Sequence, residues 1–202
     1  MTRSGTKGVA RPERERQLVA LAVAEFGARG YLRASVVDVA HAAGVSKPLV
    51  YSYFGSKEGL ALACVHDAGA RLADAVDAAQ VATTAGGRAL QTLTAIFTVL
   101  DDCPQAWSVL NDPTLPAGPA LDAAREYRAR LSRLGDLGTA AVLAAAGNHD
   151  VRDRELFSQM WQYAVTATVR WWLDHPDEPA AGMPARCARI LAAMGLPALT
   201  TK

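Results

Sequence analysis

Apolar residues recur along this chain at intervals of three and four, and the places where that rhythm stops carry residues that begin and end helices. Between Pro12 and Arg29, Val19, Ala22, Val23 and Phe26 share one helical face, and Gly30 follows as a stop. The short YLRA linker leads to Ser35, which predicts the cap of a second helix, with Asp38 completing the S-x-x-D form of a capping box. Val36, Val39, Ala40 and Ala43 give that helix its apolar face, and Gly44 stands where a helix ends in the left-handed conformation. Val45 then turns inward and Ser46 caps a third helix, where Pro48 is tolerated in the first turn. Val50 and Phe54 point one way, leaving Lys47, Pro48, Leu49, Ser52 and Tyr53 on another face. Ser56 caps a fourth helix, with Glu58 near its N-terminus.

Every later pattern is helical too. Helices are expected from Ser56 to about Gln80, over Ala89–Leu100, over Cys103–Leu110, over Ala120–Ala146 with interruptions at Gly135 and Gly138, over Val151–Leu173 and over Ala185–Met194. VATTAGGR, NDPTLPAGP and GNHD read as breaks, and strand alternation, internal repeats and Gly-rich phosphate loops are absent from the sequence. The expected fold class is all-α, with an N-terminal three-helix domain followed by a helical body.

Two helices joined by a tight Gly-containing turn form a helix-turn-helix, whose second helix enters the DNA major groove. The segments RERQLVALAVAEFGARGY and ASVVDVAHAAGVSKPLVYSYFGSKEGL resemble the DNA-binding domain of the TetR-type (tetracycline-repressor-like) transcriptional regulators. Phe26, Gly30, Tyr31, Ser35, Val36, Ala40, Ala43, Gly44, Val45, Ser46, Tyr51, Tyr53, Phe54, Ser56, Lys57, Glu58 and Leu60 fall on the family pattern in register. Val39 and Val50 replace larger aliphatics, and Pro48-Leu49 stand where the family often has a small residue and a Thr.

That resemblance implies a flexible basic arm at 1–10, a helix-turn-helix domain at 11–57 and a helical ligand-binding and dimerisation domain at 58–202. It implies phosphate contacts by Ser35, Tyr51, Tyr53 and Lys57 and base readout by Lys47, Pro48, Leu49 and Ser52, with Ser46 at the start of the reading helix. Leu49 can pack on a thymine methyl or fill space at the edge of the core. The implied protein is a repressor binding a pseudo-palindromic double-stranded operator as a homodimer and released by a small-molecule effector. A DNA-binding protein without effector control is the alternative.

For the body, aromatic residues are the candidates for an effector pocket: Trp107, Tyr127, Phe157, Trp161 and Tyr163. Along Val151–Leu173 one stripe holds Trp161, Ala164, Val165, Thr168 and Trp172, and its neighbour holds Met160, Ala164, Ala167 and Trp171. A helix apolar on two faces must bury both, and the resemblance assigns Ala164, Ala167 and Trp171 to the dimer interface.

Charge sharpens this division. The 202 residues carry a net charge of +1. Residues 1–57, however, hold nine Lys/Arg against four acids, and the remainder holds twelve against sixteen. A basic head on an acidic body suits a polyanion at one end. Cys64, Cys103 and Cys187 have neither metal-ligand nor disulfide spacing, and no apolar leader or membrane-length run is present in the sequence, so a cytoplasmic setting is expected. His41, His66, His149 and His175 lie far apart, and no G-x-S-x-G elbow or carboxylate pair stands out. The sequence therefore gives an enzyme, metal or cofactor reading nothing to rest on.

Overall fold

The computed structural model describes residues 10–81 and 85–193. The expected arm at 1–10 save Ala10, the centre of the VATTAGGR break at 82–84, and residues 194–202, Met194 of the last expected helix among them, lie outside the described residues. The elements run α1 (Arg11–Arg33), α2 (Val36–Ala42), α3 (Lys47–Phe54), α4 (Lys57–Ala78), α5 (Ala85–Asp102), α6 (Ala106–Leu110), α7 (Pro119–Ala145), α8 (Val151–Leu173), a 3-10 turn (Ala180–Gly182) and α9 (Met183–Ala193). No strand occurs among the described residues.

The chain divides into two compact units, one running up to Ala70 and including Gln105–Glu126, the other comprising Arg71–Pro104 and the residues from Tyr127 onward. In the first unit the apolar periodicity finds its core. Leu18, Ala22, Val23 and Phe26 of α1 are buried, as are Val36, Val39 and Ala40 of α2, Val50 of α3, and Leu60, Ala61, Cys64 and Val65 of α4. α1 also packs on α6, whose Ala106, Trp107, Val109 and Leu110 are buried. The approach is close at Gly27, where an added methyl would stand 2.4 Å from Gln105 Cβ.

Gly30 stops the long first helix as expected, with φ 72° and ψ 159°. Tyr31–Arg33 then resume as a last helical turn, so the linker expected at YLRA is shorter than its four residues.

In the second unit α5 packs on α9 and the 3-10 turn. Phe97 meets Trp172 edge to face at 5.7 Å, and Trp172 Nε1 donates to the Glu178 carbonyl at 2.9 Å. Asp150, within the expected GNHD turn, caps α8 by accepting from the Arg152 and Asp153 N–H groups at 2.7 and 3.1 Å. Two expectations need correction. α5 begins at Ala85, four residues before Ala89, and takes the glycine pair into the helix. α7 runs without interruption through Gly135 and Gly138. A methyl on Gly135 would lie 3.1 Å from Trp161 Cδ1, so that glycine makes room for a ring and breaks nothing.

Candidate nucleic-acid interface

The geometry of the helix-turn-helix follows from four short-range caps. Ser35 Oγ accepts from the Asp38 N–H at 3.2 Å, Ser46 Oγ from the Leu49 N–H at 3.4 Å, and Ser56 Oγ from the Gly59 N–H at 3.0 Å. Gly44 has φ 66°, and the Val45 N–H donates to the Ala40 carbonyl at 2.9 Å, closing α2. The capping box is only half formed. The Ser35 N–H goes to Glu25 Oε1 of α1 at 3.0 Å, and Glu25 also pairs with Arg29 at 3.2 Å. The Ser35 hydroxyl thus acts as an acceptor within the cap while its backbone N–H is taken by Glu25.

On α3, Val50 is fully buried and sets the helix against the core. Ser46, Lys47, Pro48, Leu49 and Ser52 are exposed, and Tyr51 and Tyr53 are half-buried. Leu49 keeps 37 % of its surface in water, so part of its side chain is open and the rest is covered. The Ser52 hydroxyl donates to the Leu49 carbonyl at 2.7 Å, which leaves its oxygen as an outward acceptor.

Three of the head's cations rest on tyrosine faces. Arg11 stands 5.2 Å from the centre of the Tyr53 ring, Lys47 5.3 Å from that of Tyr51, and Lys57 4.7 Å from that of Tyr31. Such contacts hold a flexible cation near one position and leave its outer side open to an anion. Periodicity places each partner on its helix but cannot pair α1 with α3, or α4 with the residue after Gly30.

Tyr31 is the most connected of these rings. It stacks on Phe26 at 6.0 Å and donates from its hydroxyl to Glu58 Oε1 at 2.6 Å. Burial first, then the hydrogen bond and the charge of Glu58, push its phenol up to about 12. The same hydrogen bond chiefly holds the Glu58 carboxyl below its ordinary range. From the other side, the Tyr31 N–H donates to the buried Asp112 Oδ2 at 2.5 Å, and the Leu32 N–H to Thr114 Oγ1 at 3.3 Å. Neither Asp112 nor Thr114 shows any signal in the sequence, since both lie some eighty residues beyond their partners.

The body's candidates fall in both units. Trp107 belongs to the first unit, where its Nε1 is buried with no hydrogen-bond partner. Tyr127, Phe157 and Trp161 are half-buried in the second unit. Tyr163 does not line an enclosed space: it is 74 % exposed, on the face of α8 opposite the buried Val165 and Val169. An open groove of about 430 Å³ lies between α7 and α8, lined by Asp136, Arg154, Glu155, Ser158, Gln159 and Gln162 among others, and it includes none of the five aromatics.

The α8 stripes separate in the structure. Val165, Val169 and Trp172 are buried, whereas Leu156, Met160, Tyr163, Ala164, Ala167 and Trp171 lie exposed along the opposite face of the single chain. Among the described residues no group of three or more His, Cys, Asp or Glu could hold a metal ion, and no helix is long and apolar enough to cross a membrane.

Comparison with known proteins agrees with this geometry. Residues 18–64 match the family described as bacterial regulatory proteins, tetR family. The HTH-type transcriptional regulator BetI of Brucella anthropi is 46 % identical over 52 residues, which are 26 % of this chain and 27 % of that protein. BetI of Brucella canis matches at 46 % over 52 residues, 26 % of each chain. This chain thus spans about a quarter of the length of the curated relatives it matches. Among solved structures, the TetR family regulator PfmR of Thermus thermophilus superposes with a TM-score of 0.71 at 19 % identity, covering 96 % of this chain and 100 % of that one. A tetR family protein from Rhodococcus RHA1 gives 0.72 at 20 % identity, covering 96 % and 100 %. FadR of Bacillus subtilis, solved in complex with stearoyl-CoA, gives 0.67 at 17 % identity, covering 85 % and 94 %. Residues 18–64 thus match the helix-turn-helix segment of the tetR family, and the chain shares the all-helical fold of these solved structures.

Proposed function

We propose that the chain is a sequence-specific transcriptional repressor that binds a pseudo-palindromic operator as a homodimer and is released by a small-molecule effector. Residues 11–57 serve as the DNA-binding domain and 58–202 as the dimerisation and effector domain, working in the cytoplasm and on the nucleoid when bound. The observation that carries this reading is the face of α3. Pro48, Leu49 and Ser52 stand exposed beside Lys47, on a short helix fixed by a serine cap and one buried valine. Lys47 offers donors to a guanine edge, Leu49 and Pro48 an apolar surface to a thymine methyl, and Ser52 an acceptor to an exocyclic amine. Lys57, Tyr51, Tyr53 and the Ser35 hydroxyl supply phosphate contacts, and these set position without reading sequence.

One such head covers too little DNA for tight selection, so a second must be held about 34–36 Å away. The exposed stripe of Ala164, Ala167 and Trp171 on α8 supports an isologous contact between two copies. Two observations favour an effector. FadR of Bacillus subtilis, similar in fold, is described in complex with stearoyl-CoA. The buried Trp107 Nε1 also lacks an acceptor, and leaving such a donor unpaired costs about 1–3 kcal/mol. An effector favouring one spacing of the two heads would shift the population away from the DNA-binding arrangement.

Selection of binding duplexes from a random library tests the reading. Enriched sequences should carry an inverted repeat whose half-sites lie one helical turn apart. Enrichment without a shared motif would leave a DNA binder that reads no sequence.

A further inference from the structure

The turn after α1 is held from two sides. Gly30, at φ 72° and ψ 159°, breaks the helix, and the next two backbone N–H groups find their acceptors elsewhere. Tyr31 N–H reaches Asp112 Oδ2 at 2.5 Å and Leu32 N–H reaches Thr114 Oγ1 at 3.3 Å, both in the 111–118 segment between α6 and α7. Asp112 is 7 % exposed, and its other oxygen accepts from the Thr114 N–H at 2.8 Å and the Thr114 hydroxyl at 2.7 Å. A buried carboxylate is costly unless donors surround it, so this one stands where its acceptors are used.

On the opposite side, the same two residues hold Lys57. Its ammonium lies 4.7 Å from the centre of the Tyr31 ring and donates to the Leu32 carbonyl at 3.5 Å. The Tyr31 hydroxyl reaches Glu58, the next residue of α4. Residues 31 and 32 are therefore the link between the 111–118 segment and the start of α4, within one compact unit.

We infer that Asp112 is a positioning residue for DNA binding, acting through the backbone of Tyr31 and Leu32 to fix the Lys57 ammonium where it meets a phosphate. The inference rests on the reading of Lys57 as a phosphate contact. Without the carboxylate, residues 31 and 32 lose their anchor, and the ring and carbonyl that hold the ammonium move with them. Thr114 supports the same link by accepting from Leu32 and orienting Asp112. The 111–118 segment thus gains a route to the DNA-binding face through three side chains.

The test is a double-mutant cycle on the full chain with a random-sequence 30-base-pair duplex as probe, its affinity followed by anisotropy across a range of salt. Random duplex suffices because a phosphate contact acts on any sequence. Lys57→Ala should lower the slope of log affinity against log salt by about one unit per subunit. Asp112→Asn should lower it in the same sense, and in the Lys57→Ala background it should change affinity by no more than about twofold.

A Lys57→Ala variant that keeps the full slope would overturn the phosphate reading, and this inference with it. A normal loss for Lys57→Ala joined to a full slope for Asp112→Asn, or to additive losses, would overturn the inference alone and leave the function standing. Should Asp112→Asn fail to fold, Thr114→Val takes its place, with a smaller loss of slope expected that again vanishes in the Lys57→Ala background. An additive loss there overturns the inference equally.

Discussion

The Tyr31 hydroxyl donates to Glu58 Oε1 at 2.6 Å, tying the turn after α1 to the first turn of α4. Both ionisations register the contact, with the phenol pushed up to about 12 from 10.0 and the carboxyl held below 4.5. A phenol raised in the folded state stabilises the fold fully below pH 10, and that contribution fades as pH rises through about 12. A carboxyl lowered in the folded state contributes above its ordinary range and loses that contribution as pH falls below it. Across neutral pH the link is intact. In a titration of the five tyrosines by ring-carbon NMR, Tyr31 should ionise last, and Glu58→Gln should move it towards 10. A Tyr31 resonance titrating with the other four would break this account of the turn.

Leu49 bears on specificity. With 37 % of its surface in water and a place on the outward face of α3, it is free to meet a base. Leu49→Ala should cost roughly 1–3 kcal/mol on a duplex carrying the matching thymine and much less when uracil replaces that base. Equal loss on both duplexes would assign Leu49 to supporting the helix.

Glu25 carries a stability prediction. Its carboxylate accepts the Ser35 N–H at the start of α2, and its side chain is only 15 % exposed. Glu25→Ala leaves that donor unpaired and should lower stability by about 1–3 kcal/mol, read as a lower urea midpoint with an unchanged slope. Glu25→Gln keeps an acceptor and should lose less.

These cases also show which parts of the fold could be read in advance. Ser35, Ser46 and Ser56 are legible because each cap and its N–H partner lie three residues apart, and Gly44 because a helix that ends at positive φ favours glycine. The half-formed capping box is not, because the Ser35 N–H is claimed by Glu25 from another helix. Asp112 lies 81 residues from Tyr31 and shows no pattern of its own. Gly135 misleads for a similar reason: a helical glycine reads as a break until Trp161 is seen packed against it. The buried and exposed stripes of α8 follow its periodicity, yet Tyr163 falls on the outer one, which residue type alone does not reveal.

The exposed stripe of α8 leads to a prediction about assembly. In a symmetric contact Ala167 meets its own environment twice, so Ala167→Glu places two like charges near the axis. Sedimentation should show a monomer, while circular dichroism shows unchanged helix content, since Ala167 lies exposed in the single chain. Operator affinity should fall by orders of magnitude, with weak, salt-sensitive binding to any duplex remaining. A dimer that persists with full operator affinity would place the interface elsewhere.

On the proposed function, α3 reads sequence and does more than hold phosphate. The direct measurement is competition, at near-physiological salt, between a duplex enriched from the random library and an unrelated duplex of equal length. A reading helix built from Lys47, Pro48, Leu49 and Ser52 should prefer the enriched duplex by at least about a thousandfold. Binding of the two duplexes with equal affinity would contradict it.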